Sequence, residues 1–319
     1  MPHRSILRAE SIVLCAVALL ALILSGCGPE SQSLLQVGCA VNDIAYSPDG
    51  KILATECSTE EVKLWDVNTG QMTRTLKSND PTDKRGVAFR ADGLLASVGK
   101  NTVTVWDAAT GELKSTLKND KDTLTTVAFS ADGKSLATGG HQSLQVWDLN
   151  TMQARSFIGH ASDVVKVAFS PDGKTLVSAS NDKTIKLWNV ANVQNIRTLT
   201  GHTNNVTSVA FSPDGLLLAS GSNDKNAILW NVASGLAVRT LTPNSGFVNS
   251  VAFSPDAKLL ATGSSTGKVK LWNVASGQEI KSIDAHNQWI SAVAFSPTGK
   301  KFASASTDLT VKLWDVPEH

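Results

Sequence analysis

The sequence predicts an all-β chain in which one small four-stranded unit is repeated seven times and closed into a ring. Three observations carry this. Tryptophans stand at Trp65, Trp106, Trp147, Trp188, Trp230, Trp272 and Trp314, at intervals of 41 or 42 residues, and each is followed by Asp or Asn. A second aromatic series, Tyr46, Phe89, Phe129, Phe169, Phe211, Phe253 and Phe295, keeps step with the first and opens a Ser-Pro-Asp-Gly turn or a variant of it. Between these markers no segment carries helical periodicity, so the period reports a repeated β unit and disfavours a helical repeat.

The fifth copy shows why each unit reads as four strands. An apolar, β-forming run over 206–211 is stopped by Pro213-Asp214-Gly215. A second run over 216–222 ends at Asn223-Asp224-Lys225, and a third over 227–232 carries Trp230. After Ser234-Gly235, a fourth run covers 236–241. One such sheet has two apolar faces and cannot bury both, whereas copies packed face to face around an axis can. The ends complete the argument. The last copy stops at Trp314-Asp315-Val316-Pro317 without a fourth strand, and an orphan run, Ser33-Leu34-Leu35-Gln36-Val37, precedes the first copy. That run is expected to complete the last sheet and so remove the open edges that invite aggregation.

With those residues in view, the chain resembles the WD-repeat β-propeller family, whose signature runs Gly-His, Ser-Pro-Asp-Gly, Ser-x-Asp, Trp-Asp. Gly201-His202, Ser212-Pro213-Asp214-Gly215, Ser222-Asn223-Asp224 and Trp230-Asn231 match it in order. The resemblance covers roughly residues 33–316 and implies a seven-bladed propeller, a single closed ring, with one blade per copy. It also implies a buried chain running from the tryptophan indole through a strand serine to histidine and aspartate. His160, Asp182 and Trp188, then His202, Asp224 and Trp230, then His286, Asp308 and Trp314 occupy those places. The serines are Ser178 or Ser180, Ser220 or Ser222, and Ser304 or Ser306, each pair two apart and so on one face of a strand. Copies 1, 2, 3 and 6 lack parts of the set, with Gly267 in place of the aspartate and Asn244 in place of the histidine in copy 6. Those blades are expected to be softer.

Three segments follow from composition: a signal-like stretch over 1–26, a short tether over 27–32 and the repeats over 33–319. Arg4 and Arg8 precede thirteen apolar residues, Ile12 to Leu24, too few for a membrane span and suited to a signal peptide. The ending Leu24-Ser25-Gly26-Cys27 resembles a bacterial lipoprotein signal, which implies diacylglycerol on Cys27 and a lipid-anchored domain outside the cytoplasm, in the bacterial cell envelope. Gly28 is not the aspartate that resembles inner-membrane retention, which favours the outer membrane or cell surface. An ordinary secretory signal or an uncleaved anchor remain the alternatives, and either still exports the repeats. In that setting Cys39 and Cys57 are candidates for a disulfide. Cys57 takes the place of Ser222, and Cys39 lies near the place of His202.

The net charge is +1, and Arg4 and Arg8 against Glu10 account for it, so the exported part is neutral. Nucleic acid is therefore not an expected partner. Lys84-Arg85, and Lys118 with Lys121, have acids beside them and read as solvated loops. The Ser-His-Asp sets recur three times at the same offsets, which suits a structural device and not a catalytic one. Gly263-Ser264-Ser265-Thr266-Gly267 spells a nucleophile elbow but leads into a strand rather than a helix. Asp120-Lys121-Asp122 lacks the glycine and distal glutamate of a calcium loop. No metal, cofactor or catalytic residue is expected, nor any cluster of titratable groups aimed at a central channel.

The informative departure lies six residues before the strand aromatic: Ala40, Asp83, Thr123, Asp163, Asn205, Phe247 and Trp289. In the resembled family this is the rim of the narrow face, where partners dock. Two adjacent copies carry large aromatics there, which makes Phe247 and Trp289 the candidate partner-binding residues, with His141 as a weaker one. A non-enzymatic, membrane-tethered scaffold that binds a protein or peptide is the expectation. The alternatives are an envelope-assembly component, or a ligand-binding or enzymatic propeller that uses its channel.

Overall fold

The computed structural model describes residues 33–57, 61–77, 86–119, 123–141, 143–242 and 246–317. They form seven four-stranded antiparallel sheets and no helix. The chain is a seven-bladed β-propeller. In the fifth blade the strands are Val206–Phe211, Leu217–Ser222, Ala227–Asn231 and Ala237–Leu241, within a residue of the sequence expectation. The strand carrying the Phe or Tyr is innermost in every blade, the tryptophan strand is third, and the fourth is outermost.

The signature residues have local reasons. In the turn after Phe211, the Ser212 hydroxyl donates to Asp214 (2.5 Å) and accepts the amide of Leu217 (2.9 Å), while Gly215 takes φ +71°. The Asp or Asn after each tryptophan caps the turn to the outer strand: Asn231 Oδ1 accepts from Ser234 N, and Asp66 does the same for Asn68 and Thr69. Asp315 of the last blade pairs with Lys301 at 3.0 Å.

The core is divided among the seven junctions between blades. Trp230, for instance, packs with Leu218 and Ile228 of its own blade and with Val177, Ile185 and Leu187 of the blade before. Each fully buried side chain of this kind contributes roughly 1.5–3 kcal/mol. Polar ties reinforce the rims. On the outer strands, Arg74, Arg155, Arg197 and Arg239 each donate to carbonyls in the following blade's outer turn, as Arg197 does to Ser234 (2.8 Å) and Ala233 (3.0 Å).

Closure is as the ends suggest. Ser33–Gln36 runs antiparallel to the last tryptophan strand, Thr310–Asp315, with Leu35 opposite Val311. Leu35 is 1% exposed and packs with Val41, Trp65 and Leu313. Removing residues 28–37 should therefore expose a strand edge, lower the melting temperature and produce concentration-dependent association on size-exclusion chromatography. A truncated protein that melts and elutes as the intact one does would overturn this account of closure.

Candidate functional site

The inner strands share a feature that decides what faces the channel. In six of them the register slips by one residue near the start, as between Val206 and Ser208 or between Val164 and Lys166. Such a bulge redirects the side chains on either side of it. The bulged residue turns towards the next blade: Thr125 donates to the Val164 carbonyl (2.7 Å), Thr207 to Val248 (2.5 Å), Asn249 to Ile290 (2.8 Å) and Ser291 to Val41 (2.6 Å). The residue after it accepts an amide from the next blade, Thr126 from Val167 (3.3 Å), Ser208 from Val251 (3.1 Å) and Ser250 from Val293 (3.0 Å). Each such bond is worth about 0.5–1.5 kcal/mol net.

The fourth blade has Val165 and Lys166 at these two places, and neither side chain can make its tie. Lys166 reaches across the channel to Asp43 of the first blade, Nζ to Oδ2 2.9 Å, although 123 residues separate them. Asp43 also accepts the amides of Ile44 (3.1 Å) and Val87 (3.5 Å). The expectation that the channel holds no charged departure is therefore corrected. The charges were visible in the sequence, but strict two-residue alternation does not aim them inward; the bulge does.

Above the channel, a second register holds the rim. The carbonyl of the residue six before the strand aromatic accepts the first amide of the next turn: Thr123 from His141, Asp163 from Asn181, Asn205 from Asn223, Phe247 from Ser265 and Trp289 from Thr307. The backbone tie is the same in these five blades and only the side chain changes. Phe247 is 37% and Trp289 57% exposed, on adjacent blades. His141 Nδ1 meets Asp163 Oδ1 at 2.7 Å, linking the third blade to the fourth on the far side of the ring.

The structure brings each predicted histidine set together and chooses between the paired serines. Trp188 Nε1 donates to Ser178 Oγ (2.8 Å), Ser178 meets His160 Nε2 (2.7 Å), and His160 Nδ1 meets Asp182 (2.7 Å). Ser220 with His202, Asp224 and Trp230, and Ser304 with His286, Asp308 and Trp314, repeat it. Because the carboxylate only accepts, it fixes the ring proton on Nδ1, so the serine donates to Nε2. Ser180 and Ser222 instead bond the carbonyls of Ser162 and Asn204. Where no histidine is present, threonine takes the serine's place and receives the indole, as Thr55 does from Trp65 (2.9 Å), Thr138 from Trp147 and Thr262 from Trp272. Ser97 of the second blade is the exception, its buried hydroxyl without a partner.

Burial holds the three imidazoles below their ordinary value of 6.5, against the pull of the carboxylates. Burial opposes the charge of Asp182 too, but hydrogen bonds from Thr184, His160 and the Ala161 amide overcome it and hold its carboxyl at about 2.

At two places the strand register differs from the sequence expectation. Thr266, not Gly267, stands at the aspartate place; Gly267 falls at the left-handed position (φ +78°) that Lys183, Lys225 and Leu309 occupy elsewhere. Cys39 matches Asn204 rather than His202. The Cys39–Cys57 disulfide thus replaces the Ser222–Asn204 hydrogen bond with a covalent one. Cys27 and the rest of residues 1–32, Asp83, Lys84-Arg85, Asp120-Lys121-Asp122 and Asn244 lie outside the described residues. Among the described residues no three His, Cys, Asp or Glu are grouped to hold a metal.

The comparisons agree with this architecture. The family described as WD domain, G-beta repeat matches residues 111–148, 152–189, 193–231, 235–273 and 277–315, and the chain belongs to that family. The anaphase-promoting complex subunit 4 WD40 domain family matches residues 30–88. A WD repeat-containing protein SL1-17 from Schistosoma mansoni is 30% identical over 153 residues, 47% of this chain and 50% of that protein. The vegetative incompatibility protein HET-E-1 from Podospora anserina is 56% identical over 34 residues, 11% of this chain. The chain thus spans half the length of the first relative and 2% of the second.

Two outcomes follow. Folded imidazoles that titrate below 6.5 bind fewer protons than the unfolded chain does, so their contribution is present above pH 6.5 and is lost as pH falls towards the folded values. Denaturant titrations should show stability falling from pH 7.5 to 5.5, with a shallower slope in His202→Gln; an unchanged slope would remove the network from this role. Reducing the disulfide, or Cys39→Ser with Cys57→Ser, should cost about 2–4 kcal/mol in the same assay. Thiol titration of the denatured, unreduced protein should find neither cysteine free.

Proposed function

We propose that the chain is a non-enzymatic interaction scaffold, tethered to a membrane on its extracytoplasmic side, that holds a protein or peptide on the narrow face around Phe247 and Trp289. WD-repeat propellers are in general protein-interaction scaffolds. The observation that carries the reading for this chain is the exposed aromatic pair. Its backbone is pinned by the same ties that hold Asn205 and Asp163, with Phe247 N further donating to Ser265 Oγ (2.9 Å). Two large apolar side chains presented on a rigid frame lose little entropy on binding, which is what hot spots require. His141 and Asp163 would border the same site from the opposite rim.

The Leu24-Ser25-Gly26-Cys27 ending supports lipid attachment at Cys27, and the disulfide supports an oxidising compartment such as a bacterial envelope. Crosslinking in intact cells, with mass spectrometry of the captured species, tests the docking reading. Phe247→Ala with Trp289→Ala should reduce specific capture by tenfold or more, about 1.4 kcal/mol, while the melting temperature stays near that of the parent. Capture that the double variant leaves unchanged would move the docking site elsewhere.

A further inference from the structure

Along the ring axis lies a cavity of about 100 Å³, lined by side chains from six of the seven inner strands. One buried water occupies roughly 10–15 Å³ on this measure, so the space suits several waters or one small solute. We propose that it binds a small zwitterion, an α-amino acid with a short side chain, with its carboxylate on Lys166, Ser208 and Ser250 and its ammonium on Asp43.

The donors gather on one side. Lys166, Ser208 and Ser250 stand at the same register position on three consecutive blades, and all three line the cavity. Ser208 is 3% and Ser250 8% exposed, and each accepts a backbone amide through its oxygen, which leaves the hydroxyl proton to donate. An ammonium has three protons, and the contact with Asp43 engages one. Thr207 and Asn249, which donate to the next blade, present their oxygens as acceptors beside them. Asp43 closes the cavity from the first blade.

Charge balance selects the ligand class. A lone anion would set its charge against Asp43, and a lone cation would displace Lys166 and leave it unpaired. A zwitterion exchanges one ion pair for two, because its ammonium takes the place on Asp43 that Lys166 leaves. The fourth blade also gives up both inner ties to put Val165 and Lys166 here, exchanging them for the single ion pair with Asp43 across the channel, and such a break with a rule its neighbours keep is expected at a functional position. This reading is independent of docking on the narrow face.

Saturation-transfer NMR with the full chain tests it, using alanine as the probe and acetate and methylammonium as separate arms. Alanine should bind saturably, and Lys166→Met, which leaves Asp43 holding Ile44 and Val87, should weaken it about tenfold or more; Asp43→Asn should do the same. Acetate binding as well as alanine would overturn the zwitterion in favour of a simple anion site. No alanine transfer, or transfer equal in parent and Lys166→Met, would leave the ion pair as a strut between blades and overturn the proposal.

Discussion

Everything in this ring depends on the step by which each repeat straddles two blades. The matched repeat over 193–231 contains the outer strand of the fourth blade, Asn195–Leu199, and the first three strands of the fifth. Chain connectivity therefore crosses every junction between blades, and the one place the ring is not joined by backbone is inside the seventh blade. There the pairing of Ser33–Gln36 with Thr310–Asp315 stands in for a covalent link. Immediately downstream, Cys39 is bonded to Cys57 of the first blade. The connector that leaves the closing strand is thereby fixed to its neighbour, so opening the ring at this blade means peeling Ser33–Gln36 from its edge together with the amides of Val37 and Gly38 from the Leu309 carbonyl.

The polar groups inside the blades obey a stricter rule than the apolar ones. An indole N–H buried in the core needs an acceptor, and a single hydroxyl supplies it in the three histidine blades and the three threonine blades, Ser97 of the second blade being the exception. With a histidine present, that hydroxyl must also donate to Nε2, and serine does so at 2.7 Å in the fourth and fifth blades. Without one, threonine receives the indole and its methyl fills space. Stability in the two kinds of blade thus rests on different terms. The histidine blades hold a satisfied network that responds to pH, and the threonine blades rely on packing around a single bond.

Much of this was legible in the sequence because it is written seven times. The period and the turns after Phe211 and its equivalents recur seven times and the histidine sets three times at fixed offsets, while the closing run over 33–37 stands out as the strand that the last copy lacks. What stayed hidden lies where spacing alone does not decide direction. Ser178 and Ser180 share a strand face, so only the positions of Trp188 and His160 separate them. Gly267 lies one residue past the aspartate place, which the strand register from Val248 and Ser264 gives to Thr266. Asp43 and Lys166 escaped because a bulge shifts the parity of the inner strand just ahead of them.

Repetition also supplies an internal control for reading function. Seven copies place equivalent residues in nearly one backbone environment, so a departure at one position can be compared with what its equivalents do there. At the rim, the hydrogen bond that fixes the backbone uses the carbonyl and not the side chain. Phe247 and Trp289 therefore cost their blades no tie, and their size is not set by the frame. At the bulge the side chain is itself the tie, and Lys166 replaces an acceptor with a cation. The two departures differ in kind. The first alters what the ring presents at its surface while leaving its frame intact. The second trades a bond between neighbouring blades for one across the channel, and so couples whatever occupies that space to how the first and fourth blades are held.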